Sequence, residues 1–287
     1  MSLIDRIAAC HGFAAGDYRR FIVAGEAVGY ILPAFAEKLR PYGEVFTIDE
    51  ANVTLKPSFE TFRLRTEAVN AVLRHMVKTG SLWRLRGEAY AVGTGWGTPA
   101  LMALDRAVVP AFGIEAYGIH VNGYVRRPDG SLHIWVGRRA KDKATAPGKL
   151  DHVIAGGQPH GISLADNLLK EAMEEASFGS EIAGRARPVG AVSYRLRNAE
   201  GLRNDVLFCY DLELAEGIVP VNTDGEVEEF MLWPLDAVVE RLERGDDFKF
   251  NVALVAIDFL IRHGLIDPAR PDYVDLVAGR QAGWRGN

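Results

Sequence analysis

"GGQPHGISLADNLLKEAMEEASF", residues 156–178, is the stretch on which the reading of this chain turns. After the glycines comes a helix-like run, with Ser163 as N-cap candidate and Asp166 three residues on, close to a capping box. At about 100° per residue, Leu164, Ala165, Leu168, Leu169, Ala172 and Ala176 fall on one broad apolar arc, which should bury against a sheet. Glu171, Glu174 and Glu175 gather roughly opposite Leu169. Like charges at i, i+3 and i+4 cost stability unless something offsets them. A charged helical face is ordinarily a solvated one, so the spacing alone does not separate a wet surface from a cation site. The loop before the helix adds a second observation: Gly156, Gly157 and Gly161 let backbone approach a ligand closely. Hard divalent cations take carboxylate and phosphate oxygens. Glutamates one turn apart on a rigid helix therefore suit Mg2+, or Mn2+, held against a diphosphate.

The flanking sequence reads as strands. "YGIHVNGYVRR" (117–127) and "LHIWVGRRA" (132–140) form a hairpin about the turn "PDGS", and "LDHVIAGG" (150–157) is a short strand. "RPVGAVSYRLRN" (187–198) and "RNDVLFCYDLELA" (203–215) are two further long strands. "PLDAVVERLERG", "NVALVAIDFLIRHG" and "PDYVDLVAGR" have helical spacing. Upstream, "RFIVAGEAVGYIL" is a β segment with a turn, and "PAFAEKLRPYG" and "RTEAVNAVLRHMVKTG" are helical, the latter with Thr66 as cap candidate. "GSLWRLRGEAYAV" (80–92) alternates like a strand. Strand pairs with one helix between them and helices after them indicate an α+β fold rather than a regular βαβ array. A change of pattern near residue 114 divides the chain into a smaller N-terminal α/β domain, 1–114, and a C-terminal domain, 115–287.

Composition narrows the function classes. A net charge of -5, with Lys and Arg scattered, gives no basic face for nucleic acid. No run approaches the ~18 apolar residues of a membrane span. Cys10 and Cys209 are isolated, with no zinc spacing. The N-terminus lacks a signal-peptide pattern, and a reducing cytoplasm is the expected compartment. A homodimer is compatible with all of this.

The stretch from Gly156 to Phe178 resembles the Nudix box, G-x5-E-x7-R-E-U-x-E-E-x-G-U with U apolar. Gly156 falls at the opening glycine, Lys170 at the arginine, Glu171 at the next glutamate, and Glu174 and Glu175 at the paired acids. Ala172 and Phe178 take apolar positions. Ile162, Lys170 and Ser177 depart from the pattern, standing where the family has glutamate, arginine and glycine. Lysine keeps the charge but not the planar fork that steers a carboxylate. The longer string from Trp135 through Phe178 is similar to the branch related to the Nudix part of fungal thiamine pyrophosphokinase. That resemblance covers roughly residues 115–245 and implies a C-terminal Nudix α/β/α sandwich with a mixed sheet. It implies an Mg2+-dependent hydrolase that splits a diphosphate linkage by attack of water, acting on thiamine diphosphate or its oxidised analogues. Glu174 and Glu175 would be metal ligands, Glu171 a ligand or base, and Gly156 a ligand through its backbone beside Gly157. A nucleotide sugar, a nucleoside phosphate or a non-catalytic ligand-binding role are the alternatives. Isopentenyl diphosphate isomerase, a superfamily relative, needs a cysteine in the strand before the box, and "LDHVIAGG" has none.

Other residues carry weaker signals. Arg138 and Arg139 end a strand, and with Lys141, Lys143 or Lys149 one of them is expected to reach substrate phosphates. His152, beside Asp151, reads as an ordinary strand histidine before a general base. The acidic "TDGEVEEF" (223–230) offers Glu226 as a further metal ligand or base, with Glu228 and Glu229 behind it, against the reading of a solvated loop. Core packing is the expectation for Trp83, Trp96 and Trp135, and "GTGWGTPA" is too weak to be a nucleotide motif.

Overall fold

Long apolar strands buried on both faces need helices above and below them, and the second half of the chain supplies both. The structure, a computed structural model, describes residues 2–143, 145–223 and 225–283. It opens with helix α1 (Leu3–Ala8) and strand β1 (His11–Gly12). Strands β2 (Arg19–Val23), β3 (Glu26–Ile31), β4 (Phe46–Ile48) and β5 (Asn52–Leu55) form a four-stranded sheet in the order β3-β2-β5-β4. Helices α2 (Pro33–Leu39) and α3 (Phe62–Lys78) pack on it. The hairpin of β6 (Ala89–Val92) and β7 (Met102–Asp105) and the short helix α4 (Val109–Phe112) join the same core, around Phe21, Leu73, Met76, Leu104 and Phe112.

The larger sheet is built from β8 (Glu115–Arg126), β9 (Leu132–Arg139), β10 (Leu150–His152), β11 (Ile154–Gly157), β12 (Arg187–Arg197), β13 (Leu202–Glu213) and β14 (Val227–Pro234), with β1 added at one edge. Its order is β1-β12-β13-β8-β9-β10, with β11 paired to β8 and β14 to β9. β8 runs parallel to β13 and antiparallel to β9, so the sheet is mixed. On one face lie α5 (Leu164–Ala176) and α6 (Ser180–Ala183), packed on Ile119, Val121 and Leu212. On the other lie α7 (Leu235–Arg244), α8 (Phe250–Arg262) and α9 (Tyr273–Ala278), packed on Tyr124, Val136, Tyr194 and Cys209. This is the α/β/α sandwich anticipated for the α+β chain. α1 and β1 belong to it as well: Leu3, Ile7 and Cys10 are buried in the α8 core, and β1 pairs with β12. Among the described residues no helix is long and apolar enough to cross a membrane.

Three local readings change. α3 is capped by Thr61, whose Oγ1 accepts from Leu64 N at 3.2 Å, while Thr66 lies inside the helix and bonds back to Phe62 O. Only residues 89–92 of the expected strand 80–92 are extended. Ser81 and Leu82 donate to Met76 O, and the Asp105 carboxylate takes the backbone N–H groups of Arg86 and Gly87. Those partners draw the backbone away from a ladder. The strand "LDHVIAGG" splits at Val153, because its first half pairs with β9 and its second with β8.

α4 is gripped on both sides by backbone. A Cβ at Gly29 would lie 2.3 Å from Phe112 O, and one at Gly201, in the β12–β13 turn, 2.0 Å from Pro110 O. Neither carbonyl can yield without moving the helix. Gly201→Ala should therefore cost at least about 2 kcal/mol in urea unfolding, where an exposed turn would tolerate the change.

Candidate active site

α5 lies low along β11, and three of its side chains, each one turn from the next, meet successive residues of that strand. Asn167 Nδ2 donates to Gly157 O at 2.9 Å. The Glu171 carboxyl sits on Gly156, where a Cβ would be 2.2 Å from its Cδ. Glu175 Oε2 accepts from Ala155 N at 2.7 Å. Ser163 caps the helix as expected, accepting from Asp166 N at 3.0 Å.

This changes the reading of the helix faces. The buried residues are Asn167, Leu168, Glu171, Ala172 and Ala176, whereas Ala165 is exposed. Glu171 and the half-buried Glu175 point at strand backbone, and of the trio only Glu174 faces outward, its side chain 51% exposed. A strand bearing side chains at 156 and 157 would have lifted the helix off. The glycines let it come down.

The charges of the site are unbalanced. Burial pushes the Glu175 carboxyl well above the ordinary carboxylate range, and the charges of Glu171, Asp151 and Glu226 push the same way, against the hydrogen bond from Ala155. Burial also raises Glu171, opposed by Lys170. Lys170 Nζ bonds Glu171 Oε1 at 3.0 Å and lies 3.2 Å from Glu174 Oε2, bridging the two carboxylates. At the C-terminal end of α5, Ser177 takes the left-handed conformation, φ 57°, that glycine adopts most readily. Its Oγ donates to Val221 O at 2.9 Å.

Glu226 belongs to the same electrostatic neighbourhood. Burial acts to raise its carboxyl, but the ion pair with Lys143 and the charges of Arg139 and Arg106 hold it below its usual value. Asp224, from the same acidic stretch, lies outside the described residues. Arg138, Arg139 and Lys149 are committed within the protein. Arg138 pairs with Glu229 at 2.8 Å, Arg139 with Asp151 at 2.8 Å and Thr145 O, and Lys149 with Asp246 at 2.9 Å. A phosphate would have to displace those partners.

His152 is buried, and its Nδ1 shares a hydrogen bond of 3.0 Å with Nδ1 of His120. Among the described residues, His120, Asp151 and His152 are the group whose side-chain ligand atoms converge within 4.8 Å. Asp151 is already neutralised by Arg139 and by Lys249 at 3.1 Å, and one imidazole proton occupies the space between the rings. A cation there would compete with two resident ones, so this knot holds strands together rather than a metal.

The N-terminal part of the chain reaches the site, which no periodicity announced. Tyr90 places its hydroxyl over Gly157, where a Cβ would be 1.5 Å from it. His160 N donates to Ala89 O at 2.7 Å, tying the loop before α5 to β6. Arg106 pairs with Glu88 at 3.0 Å, and its charge acts on both Glu171 and Glu226. The only local signal was Asp105, which takes the N–H of Ala107 as the helix-start cap of the segment carrying Arg106.

The chain is similar to known proteins along nearly its whole length. A family model described as "Domain of unknown function (DUF4743)" matches residues 1–116. Nudix hydrolase 24, chloroplastic, of Arabidopsis thaliana is 44% identical over 263 residues, covering 91% of this chain and 72% of the relative. Nudix hydrolase 20, chloroplastic, of the same plant is 44% identical over 270 residues, with the same coverage of 91% and 72%. Among solved structures, DR0079 from Deinococcus radiodurans aligns with a TM-score of 0.45 at 18% identity, covering 61% of this chain and 98% of that one.

Two outcomes follow from this geometry. Gly156→Ala places a methyl against Cγ and Cδ of the buried Glu171, so that side chain must swing off β11 or α5 must rise, and thermal unfolding should show a lowered Tm. Were Glu171 to act in the chemistry, hydrolytic turnover would fall by about 100-fold, the cost of misplacing a reacting group. For the histidine pair, burial holds His152 down to about 4 and His120 well below its usual value. Their stabilisation is complete above the unfolded value near 6.5 and is lost as pH falls toward 4, where the unfolded chain binds more protons. In urea unfolding between pH 7 and 4.5, His152→Asn should lose on the order of 2 kcal/mol less than the wild type.

Proposed function

The chain belongs to the Nudix hydrolase family, and from that premise we propose that it hydrolyses a diphosphate linkage with Mg2+, or Mn2+, as cofactor. The observation that carries the reading is the Asn167–Glu171–Glu175 row lying against the backbone of Gly157, Gly156 and Ala155, with two carboxyls that burial holds above their ordinary range and whose charge a bound cation would favour. The donor types, the carboxylates of Glu171, Glu174 and Glu175, suit a hard divalent ion. Among the described residues they do not converge and would have to draw together around it; the Gly156 carbonyl, which faces β8, would have to turn to join them. Such an ion, when bound, polarises phosphoryl oxygens and lowers the pKa of a coordinated water.

The protein's own residues do the rest. Lys170 orients Glu171 and Glu174 through its two contacts. Glu171 acts as ligand or accepts the proton of the attacking water on its carboxylate. Glu226, released from Lys143, is the alternative base. Gly156 makes room for the Glu171 carboxyl and Gly157 for the Tyr90 hydroxyl, while Arg106 is a cation whose charge reaches both Glu171 and Glu226.

The substrate class we favour is thiamine diphosphate or its oxidised analogues, cleaved to the monophosphate. It is supported by resemblance across the string from Trp135 to Phe178. A nucleotide sugar or nucleoside phosphate is the rival substrate. Ile162 and Lys170, which replace family residues, favour the non-catalytic rival. We divide the chain into an accessory part, 1–114, and a hydrolase part, 115–287, with α1 and β1 packed on the latter. Two free, buried cysteines support a reducing compartment such as the cytoplasm.

Purified protein with Mg2+ should release phosphate products from one of thiamine diphosphate, its oxidised forms, ADP-ribose or dinucleotides. Glu174→Gln and Glu175→Gln should each lower that rate by roughly 100-fold or more, and Lys170→Met by about 10–100-fold. Turnover that is absent from the whole panel, or unchanged in both glutamine variants, would overturn the catalytic reading.

A further inference from the structure

One glycine-rich loop remains unexplained by the carboxylate site. In "GTGWGTPA" (93–100), Thr98 Oγ1 donates to Gly95 O at 2.8 Å and Gly97 has φ +78°. The resulting tight turn carries Trp96 at its tip, with half of its surface exposed. The indole stands over Tyr117 and Phe208, ring centroids 4.8 and 4.7 Å away. Tyr117 shares the alternation of Ile119 and Val121, which pack under α5, so the aromatic floor lies on the sheet face that carries the box helix.

Between that loop and the segment 158–162 is a cleft of about 160 Å³ whose lining includes Tyr90, Trp96, Tyr117, Gln158 and Ile162. A cavity of roughly 150 Å³ takes one benzene-sized ring. The cleft begins at Gln158, two residues along the chain from the Gly156–Glu171 contact, and Tyr90 borders both the cleft and Gly157. Gln158 is 7% exposed, and its amide is fixed: Nε2 donates to Ile162 O at 2.8 Å, with Pro159 O at 3.4 Å. Its Oε1 is buried without a hydrogen-bond partner. A buried acceptor left unpaired loses its hydration with nothing in return, so it calls for a donor. Ile162 supplies apolar surface where the family pattern has a charge.

We propose that this cleft is the subsite for the organic end of the substrate, a flat heteroaromatic ring bearing an amino donor, packed on Trp96, with its amine taken by Gln158 Oε1 once that side chain turns to uncover the oxygen. The inference rests on the diphosphate reading, since it places the ring beside the carboxylate row. It gives the N-terminal part a task, because Trp96 and Tyr90 both come from it.

Binding without turnover separates the two ideas. With EDTA present, calorimetric titration of the full chain with thiamine and with adenosine should give saturable binding of at least one. Trp96→Ala should weaken it about tenfold or more, the usual size of a lost ring stack, while Trp96→Phe stays within about threefold. Trp83→Ala, which removes an indole bonded to Ala107 O outside the cleft, should leave it unchanged. The desamino counterpart of the ring that binds should bind more weakly to wild type. Unfolding curves of Trp96→Ala and Trp96→Phe establish that both are folded. Absence of ring binding to wild type, equal binding by wild type and Trp96→Ala, or equal affinity for the desamino ring would each overturn the subsite. Diphosphate hydrolysis would be untouched by those results. Conversely, Trp96-dependent binding in a protein that hydrolyses nothing would leave the subsite standing and sink the hydrolase reading.

Discussion

The contact between the Glu171 carboxyl and the backbone of Gly156 is the constraint on which the site depends. A helix whose side chains must clear a normal strand rides higher above it. With no side chain at 156 or 157, α5 settles until Asn167, Glu171 and Glu175 touch β11 itself. Small residues complete the descent, since Ala172 and Ala176 fill the side of α5 that faces Ile119 and Val121. Burial then makes the carboxylates expensive to ionise, and their mutual repulsion adds to that. Lys170, bridging Glu171 and Glu174, offsets part of that cost. Packing and chemistry are here the same contact seen from two directions.

The neighbouring glycine is used from the opposite side. Gly157 leaves room for the Tyr90 hydroxyl where a side chain would stand, and this brings the N-terminal part of the chain against the site. The loop before α5 is thereby held at both ends, by Ala89 O through His160 and by Tyr117 O through Gln158. α4 repeats the device at a larger scale, wedged between Gly29 and Gly201 where only bare backbone fits. Glycines thus set how the two parts of the chain meet. Arg106 and Trp96 arrive at the site as a consequence of that fit, not of any local pattern around them.

Much of the surrounding charge serves the scaffold. Arg139 and Lys249 converge on Asp151, which joins β9, β10 and the start of α8 beneath the two histidines. Asp211 does the same on β13, meeting Arg262, His263 and Asn122. A buried ion must be paired to persist, and basic residues near an acidic cleft satisfy that need first. The arginines at the end of β9 accordingly stand paired within the protein, Arg139 with the buried Asp151 and Arg138 with the exposed Glu229.

The sequence by itself determined the elements and their chemistry. Alternation marked the long strands, Ser163 marked the start of α5, and the spacing of Gly156, Glu171, Glu174 and Glu175 identified the box. These are local properties, set by backbone periodicity and by the hydrogen bonds of a helix end. Only the tertiary structure decided which side of α5 turns inward, because that depends on the missing side chains of a strand brought beside it. It alone decided that Thr66 is interior to a helix while Thr61 caps it, that Arg138, Arg139 and Lys149 already have partners, and that Trp96 stands half exposed over Tyr117 and Phe208. Such facts belong to pairs of residues far apart in the chain. No periodicity encodes them, since their energy exists only once the chain has closed on itself.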